Sequence, residues 1–197
     1  NEATNLTLVR SAHPTRLLQI FICKFQLELT DSQLFLASYK SDSGFSTRQP
    51  IVAGILLGIG LGGFFDGIVL HQILQWHHMI SGWFPPTILE NLEANTLGDG
   101  LFHSLTYVFT IMGVFLLWRS YLRGDGRWSL RTLVGCLLLG WGLFNVVEGL
   151  INHHILGVHH VRDDLPPSEQ LPWDLGFLAF GVVLISIGWW LVRSSKK

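Results

Sequence analysis

Four stretches of the chain, at 51–74, 101–122, 130–151 and 175–192, stay apolar long enough to cross a hydrocarbon core, which takes about 20 residues of helix. Their ends carry Trp83, Trp118, Trp128, Trp173, Trp189 and Trp190, and amphipathic rings of this kind favour the headgroup layer. The pattern predicts an all-α integral membrane protein of four helices. Residues 1–50 break the pattern. Their patchy apolar run at 17–38 contains Lys24, Glu28 and Asp31, each of which would cost about 2.5–3.5 kcal/mol at mid-bilayer. They are read as an extramembrane or interfacial extension, followed by a transmembrane domain at 51–197. This stretch lacks the layout of a secretory signal, and Asn5-Leu6-Thr7 on it is a bare glycosylation triplet.

Lysine and arginine set the expected orientation. They gather before the first span (Arg10, Arg16, Lys24, Lys40, Arg48), between the second and third (Arg119, Arg123, Arg127, Arg131) and at the tail (Arg193, Lys196, Lys197). The 79–100 loop has none, and the 161–174 loop has only Arg162. By the positive-inside rule both termini and the middle loop face the cytoplasm of a plasma membrane, and the other two loops face out. Composition agrees: 14% of the 197 residues are charged, well under the roughly 25% of soluble domains, and a net charge of −1 excludes a basic nucleic-acid face. Cys23 and Cys136 stand too far apart in sequence and context to suggest a disulfide framework or a CxxC pair.

The chain also repeats itself. GIGLGGFFDGIVLHQILQWHHM from Gly58 aligns without gaps on GWGLFNVVEGLINHHILGVHHV from Gly140. Asp66 falls on Glu148, His71 on His153, and His77-His78 on His159-His160; past short indels, Pro85-Pro86 falls on Pro166-Pro167 and Asp99 on Asp174. This predicts a two-helix unit in tandem, at about 51–122 and 130–193, with a pseudo-two-fold axis along the membrane normal.

The polar residues concentrate at one end of this plan. On an ideal α-helical wheel of about 100° per residue, Asp66, His77, His78 and His71 fall on one side of the first span together with Gly60, Gly63 and Gly67. Leu61, Phe65, Ile68, Val69 and Trp76 fall on the other, lipid-facing side. The third span repeats the stripe with Glu148, Gly149 and His153 and adds Asn145 and Asn152. The second span, expected to open at Gly98-Asp99, places Asp99, His103 and Tyr107 at four-residue intervals on one face. The fourth keeps Asp174 but has Leu178 near the place of His103, so the halves differ chemically.

Every histidine except His13 thus lies at the outer ends of the first three spans or just beyond. Intramembrane ionisable groups beside one another mark functional sites. The expectation is a metal site with His71, His103 and His153 as leading imidazole ligands and Asp99 as carboxylate ligand. His77, His78, His159 and His160 are further ligands or solvated loop residues, and His154 is the weakest candidate. Asp66 and Glu148 are inner ligands, orienting partners or a proton path, with Asn152, Tyr107 and Asp174 in the same supporting roles. Imidazole and carboxylate without thiolate suit copper, iron or zinc, and an outward site tilts toward copper; haem b held by His71 and His153 is the other cofactor reading.

The motifs GxGxGGFFDGIVLHQILQWHHM, NTLGDGLFH and FNVVEGLINHHILGVHHVR resemble those of a family of small prokaryotic predicted membrane proteins catalogued as a numbered domain of unknown function. The resemblance runs from about residue 50 to the end. It implies a four-helix inner-membrane protein of no established activity, kept in the company of copper-oxidase assembly factors, which leans toward copper. The Asp99-x3-His103 spacing is also similar to part of a copper site in membrane-bound monooxygenases. The functional expectation is a membrane metalloprotein for redox chemistry or metal handling, an oxidoreductase if the metal keeps an open position. The rivals are a proton-coupled transporter or channel along the axis, which would need a homo-oligomer, and an accessory subunit of a respiratory assembly with a redox partner.

Overall fold

The computed structural model describes residues 48–124 and 129–195, whose regular structure is helical, with no strand among them. Four helices are long and apolar enough to span a membrane: α1 (Arg48–Ile73), α2 (Leu89–Arg123), α3 (Leu130–Leu156) and α4 (Pro167–Ser194). The N-terminal extension with Cys23, together with Arg127, Trp128, Lys196 and Lys197, lies outside the described residues.

Local chemistry sets several helix ends. Pro50 occupies the first turn of α1, where its missing N–H costs nothing. The Ser129 hydroxyl accepts the backbone N–H of Thr132 and caps α3. Gly124 ends α2 in the left-handed conformation at φ 67°. Two expected starts move earlier: α2 begins at Leu89 and α4 at Pro167, so Asp99 and Asp174 lie inside helices and not at their openings. The added turns are polar (Glu90, Asn91, Glu93 and Asn95 in α2), so hydropathy alone hid them; helical hydrogen bonding continues past the apolar run.

The outer ends of α1 and α3 are not α-helical. From Asp66 to Ile73 and from Gly149 to Leu156 the backbone is π-helical. This changes the spacing of the ideal wheel at its polar end. In an i→i+5 helix residues five apart stack, so Asp66 and His71, which the wheel puts at opposite edges of one side, come into line, as do Glu148 and His153. Both π-segments stop on a left-handed residue, Gln75 at φ 51° and Gly157 at φ 56°. The chain then leaves the helix, so His77 and His159 reach the interior from the following loops.

Packing places α1 and α3 at the centre, with α2 against α1 and α4 against α3. The two inner helices are far more buried than the outer two. Gly58 and Gly140 allow the central contact. A Cβ on Gly58 would run into the Leu137 carbonyl and one on Gly140 into the Ile55 carbonyl, the close backbone approach that small residues permit between membrane helices. Burial is inverted relative to a soluble domain. Leu61, Phe65, Ile68, Trp118, Trp189 and Trp190 are exposed on the apolar surface, whereas Asp66, His71, Asp99, Glu148, His153 and Asp174 are buried.

Candidate metal centre

All four helices bring one end to the same place: the close of α1 and α3 and the first turns of α2 and α4, with the 74–88 and 157–166 loops folded over them. Asp99 of α2 is the organising group of the first half. Its Oδ1 accepts Nδ1–H of His71 at 2.8 Å and the backbone N–H of Met79 at 2.8 Å, and its Oδ2 accepts Nδ1–H of His78 at 2.8 Å. Asp174 of α4 makes two of the three corresponding bonds in the second half. It accepts the Val161 N–H at 2.9 Å and Nδ1–H of His160 at 2.7 Å, while Nδ1 of His153 stands 3.4 Å away, beyond good hydrogen-bond geometry. Positions paired by the sequence alignment therefore make corresponding contacts.

The loop histidines are anchored crosswise. Nδ1–H of His77 donates to the Val161 carbonyl at 3.0 Å, and Nδ1–H of His159 donates to the Met79 carbonyl at 3.0 Å. The loops are tied further by Ser81, whose hydroxyl donates to Asp163 at 2.6 Å, and by the backbone bond from Gly82 to Val158 at 2.8 Å. Asn95, at 0% exposure, donates to the Phe84 carbonyl and accepts the Ile80 N–H, clamping the first loop onto α2. Asn95 went unnoticed in the sequence; its signal is a lone amide on the buried face of α2, four residues before Asp99.

With the Nδ1 atoms of His71, His77 and His159 hydrogen-bonded outward, their Nε2 atoms and that of His153 turn inward beside Asp66 and Glu148. Oδ2 of Asp66 is 3.1 Å from Nε2 of His71, and Oε1 of Glu148 is 3.2 Å from Nε2 of His153 and 2.8 Å from Nε2 of His159. Only the His159 contact has hydrogen-bond geometry; the Nε2 atoms of His71, His77 and His153 and Oε2 of Glu148 are buried without a partner. The ligand atoms of His71, His77 and His159 lie within 4.8 Å of one another, as do those of Glu148, His153 and His159.

The loop imidazoles are shifted in opposite directions. Burial, reinforced by the neighbouring His159 and His71, drives His77 well below the usual imidazole range, which keeps its Nε2 lone pair free. Burial pulls His159 the same way, but the Glu148 carboxylate outweighs it and raises His159 above that range. A protonated His159 donates from both nitrogens, to Met79 and to Glu148.

Other expected residues fall elsewhere. His103 belongs to neither cluster: its Nδ1–H donates to the Asp99 carbonyl at 2.7 Å, one turn back on its own helix, and its ring packs against Gly67 and Phe102. Tyr107 is 59% exposed on the apolar surface and does not share the buried face of Asp99, because α2 contacts α1 along a narrow stripe. The carboxylate oxygens of Asp99, expected as a ligand, are both taken by imidazole and backbone donors. Asn152 sits 3.3 Å from Oε1 of Glu148, and His154 turns out to bond the Gly149 carbonyl. His78 and His160 reach the surface with side-chain exposures of 18% and 33%.

A family model described as "Predicted membrane protein (DUF2243)" matches residues 53–195. No curated protein and no solved structure matches the chain.

Proposed function

Since the chain belongs to the "Predicted membrane protein (DUF2243)" family, we propose that it is a multi-pass membrane metalloprotein whose transition metal is held by the inward imidazoles of His71, His77, His153 and His159 with the carboxylates of Asp66 and Glu148. The observation that carries this reading is the set of buried acceptors without partners. Leaving such a group unsatisfied costs about 1–3 kcal/mol, and here three imidazole nitrogens and a carboxylate oxygen converge in that state. Among the described residues the carboxylates of Asp66, Asp99, Glu148 and Asp174 have only histidines as ionic partners. Buried negative charge of this kind calls for a cation.

Imidazole-rich sites with carboxylate and no thiolate suit copper, iron or zinc, and copper is the metal favoured here, for redox chemistry or metal handling. Asp99 behind His71, the Val161 carbonyl behind His77 and the Met79 carbonyl behind His159 orient those rings, as outer partners do in metal sites. A haem between His71 and His153 fits poorly. The His77 and His159 rings stand between them, at centroid distances of 4.3 Å from His71 and 5.0 Å from His153, which leaves no slot for a macrocycle.

Elemental analysis and an absorption spectrum of protein purified in mild detergent test the reading. Bound copper, iron or zinc without a Soret band, depleted in His71→Ala and His153→Ala, is the expected result. Protein that stays metal-free after reconstitution, or variants that both keep full metal, would overturn it.

A further inference from the structure

We infer that this centre is dinuclear, with one ion held by Asp66, His71 and His77 and a second by Glu148, His153 and His159. The inference rests on the metalloprotein reading above and adds the number of ions and the division of ligands between them.

Ring orientation carries it. A neutral imidazole offers a metal one lone pair, which lies in the plane of the ring, so the ion it binds lies in that plane too. The rings of His77 and His159 are stacked, with centroids 4.6 Å apart and planes 7° from parallel. An ion in the plane of one stands off the face of the other, so the two cannot share an ion in this arrangement. Distance alone would group both with His71; orientation separates them. The flanking rings are turned the useful way, His71 at 68° to His77 and His153 at 70° to His159, so the planes within each pair intersect.

Each loop ring also lies nearer the helix histidine of its own half than that of the other half. His71 is 4.3 Å from His77 and 5.8 Å from His159, centroid to centroid; His153 is 5.0 Å from His159 and 6.3 Å from His77. Each half also has its own inward carboxylate, Asp66 beside His71 and Glu148 beside His153 and His159. Charge is consistent with two ions. Asp66 with Asp99, and Glu148 with Asp174, place two carboxylates around each half, enough to balance one divalent cation apiece. Three protein donors per ion leave coordination positions open, as in sites that bind a further small ligand and unlike closed structural sites.

The test is a titration of metal-stripped, full-length protein in detergent with Co(II), followed by its ligand-field absorption and by elemental analysis after desalting. Two equivalents per chain are expected. One equivalent would overturn the dinuclear inference and leave the metalloprotein reading standing, whereas none, with copper, iron and zinc also failing to bind, would overturn both. Glu148→Gln, nearly isosteric, and His153→Ala should each reduce binding from two equivalents to one, with the remaining ion on the Asp66 side. Loss of both ions from a variant that still elutes as a single helical species would show that the ligands are not divided between two sites and sink the inference. Should a variant aggregate, the wild-type stoichiometry decides alone.

Discussion

The proton on His159 occupies ground that a metal would need. Its Nε2 faces Glu148 at 2.8 Å, and the carboxylate holds the imidazole above its usual range against the pull of burial. With a raised folded value, the pairing stabilises the metal-free protein fully below the ordinary imidazole pKa, and that stabilisation fades as pH rises through the raised value. Metal uptake runs the other way, because the proton must leave. Apparent affinity for a divalent ion should climb by about tenfold per pH unit for that one displaced proton while His159 is protonated, as chelator-competition titrations from roughly pH 6 to 8 would read; a flat profile would remove His159 from the ligand set. Asp99 acts at the same scale through its partners. Asp99→Asn keeps the shape but weakens the bond that aims His71, and should lower metal affinity by about 10–100-fold without abolishing binding. Abolished binding in a folded Asp99→Asn protein would make Asp99 itself a ligand, as the sequence first suggested.

At the scale of elements, the π-helical ends make the centre. An α-helix continued through Asp66–Ile73 would turn His71 away from Asp66; the wider turn brings them within 3.1 Å. Such bulges are rare and tend to occur at functional sites. Each ends on a left-handed residue, but only one copy uses glycine there. A residue with a Cβ pays about 1–2 kcal/mol in that conformation, so Gly157→Ala should destabilise by about 1 kcal/mol or more. The exposed Gln75→Gly should be neutral or stabilising, since relief of that strain offsets the added chain entropy. Thermal unfolding in detergent separates the two; equal losses in both would mean that the left-handed turns are not what ends the π-segments.

At the scale of the molecule, the candidate centre lies between loops that are poor in lysine and arginine, and Arg48, Arg119, Arg123, Arg131 and Arg193 lie toward the other end of the helices. The positive-inside rule then predicts that the histidines face outside. In a Cys23→Ser background, where Cys136 is buried, an impermeant thiol reagent added to intact cells should label Ser168→Cys and spare Ser195→Cys. The reverse pattern would turn the centre toward the cytoplasm and remove the main reason for favouring copper.

The four spans, their apolar outer surfaces and the family were legible in the sequence, because the bilayer imposes a length and a composition that each segment must meet alone. The alignment of one half on the other also paired the residues that make matching contacts, among them Asp66 with Glu148 and His71 with His153. What each of those groups touches was decided only in three dimensions. Periodicity assumes one helical pitch, and the two π-segments break it just before the histidines. His77 and His159 are buried because each loop crosses to the carbonyl of the other half, a long-range contact with no local signature. Asp99 and His103 looked like ligands because four-residue spacing puts them on one helix face. In the folded chain the hydrogen bonds of Asp99 run to His71, His78 and Met79, and that of His103 runs back to its own helix. Spacing along one element cannot reveal which partners another element will bring.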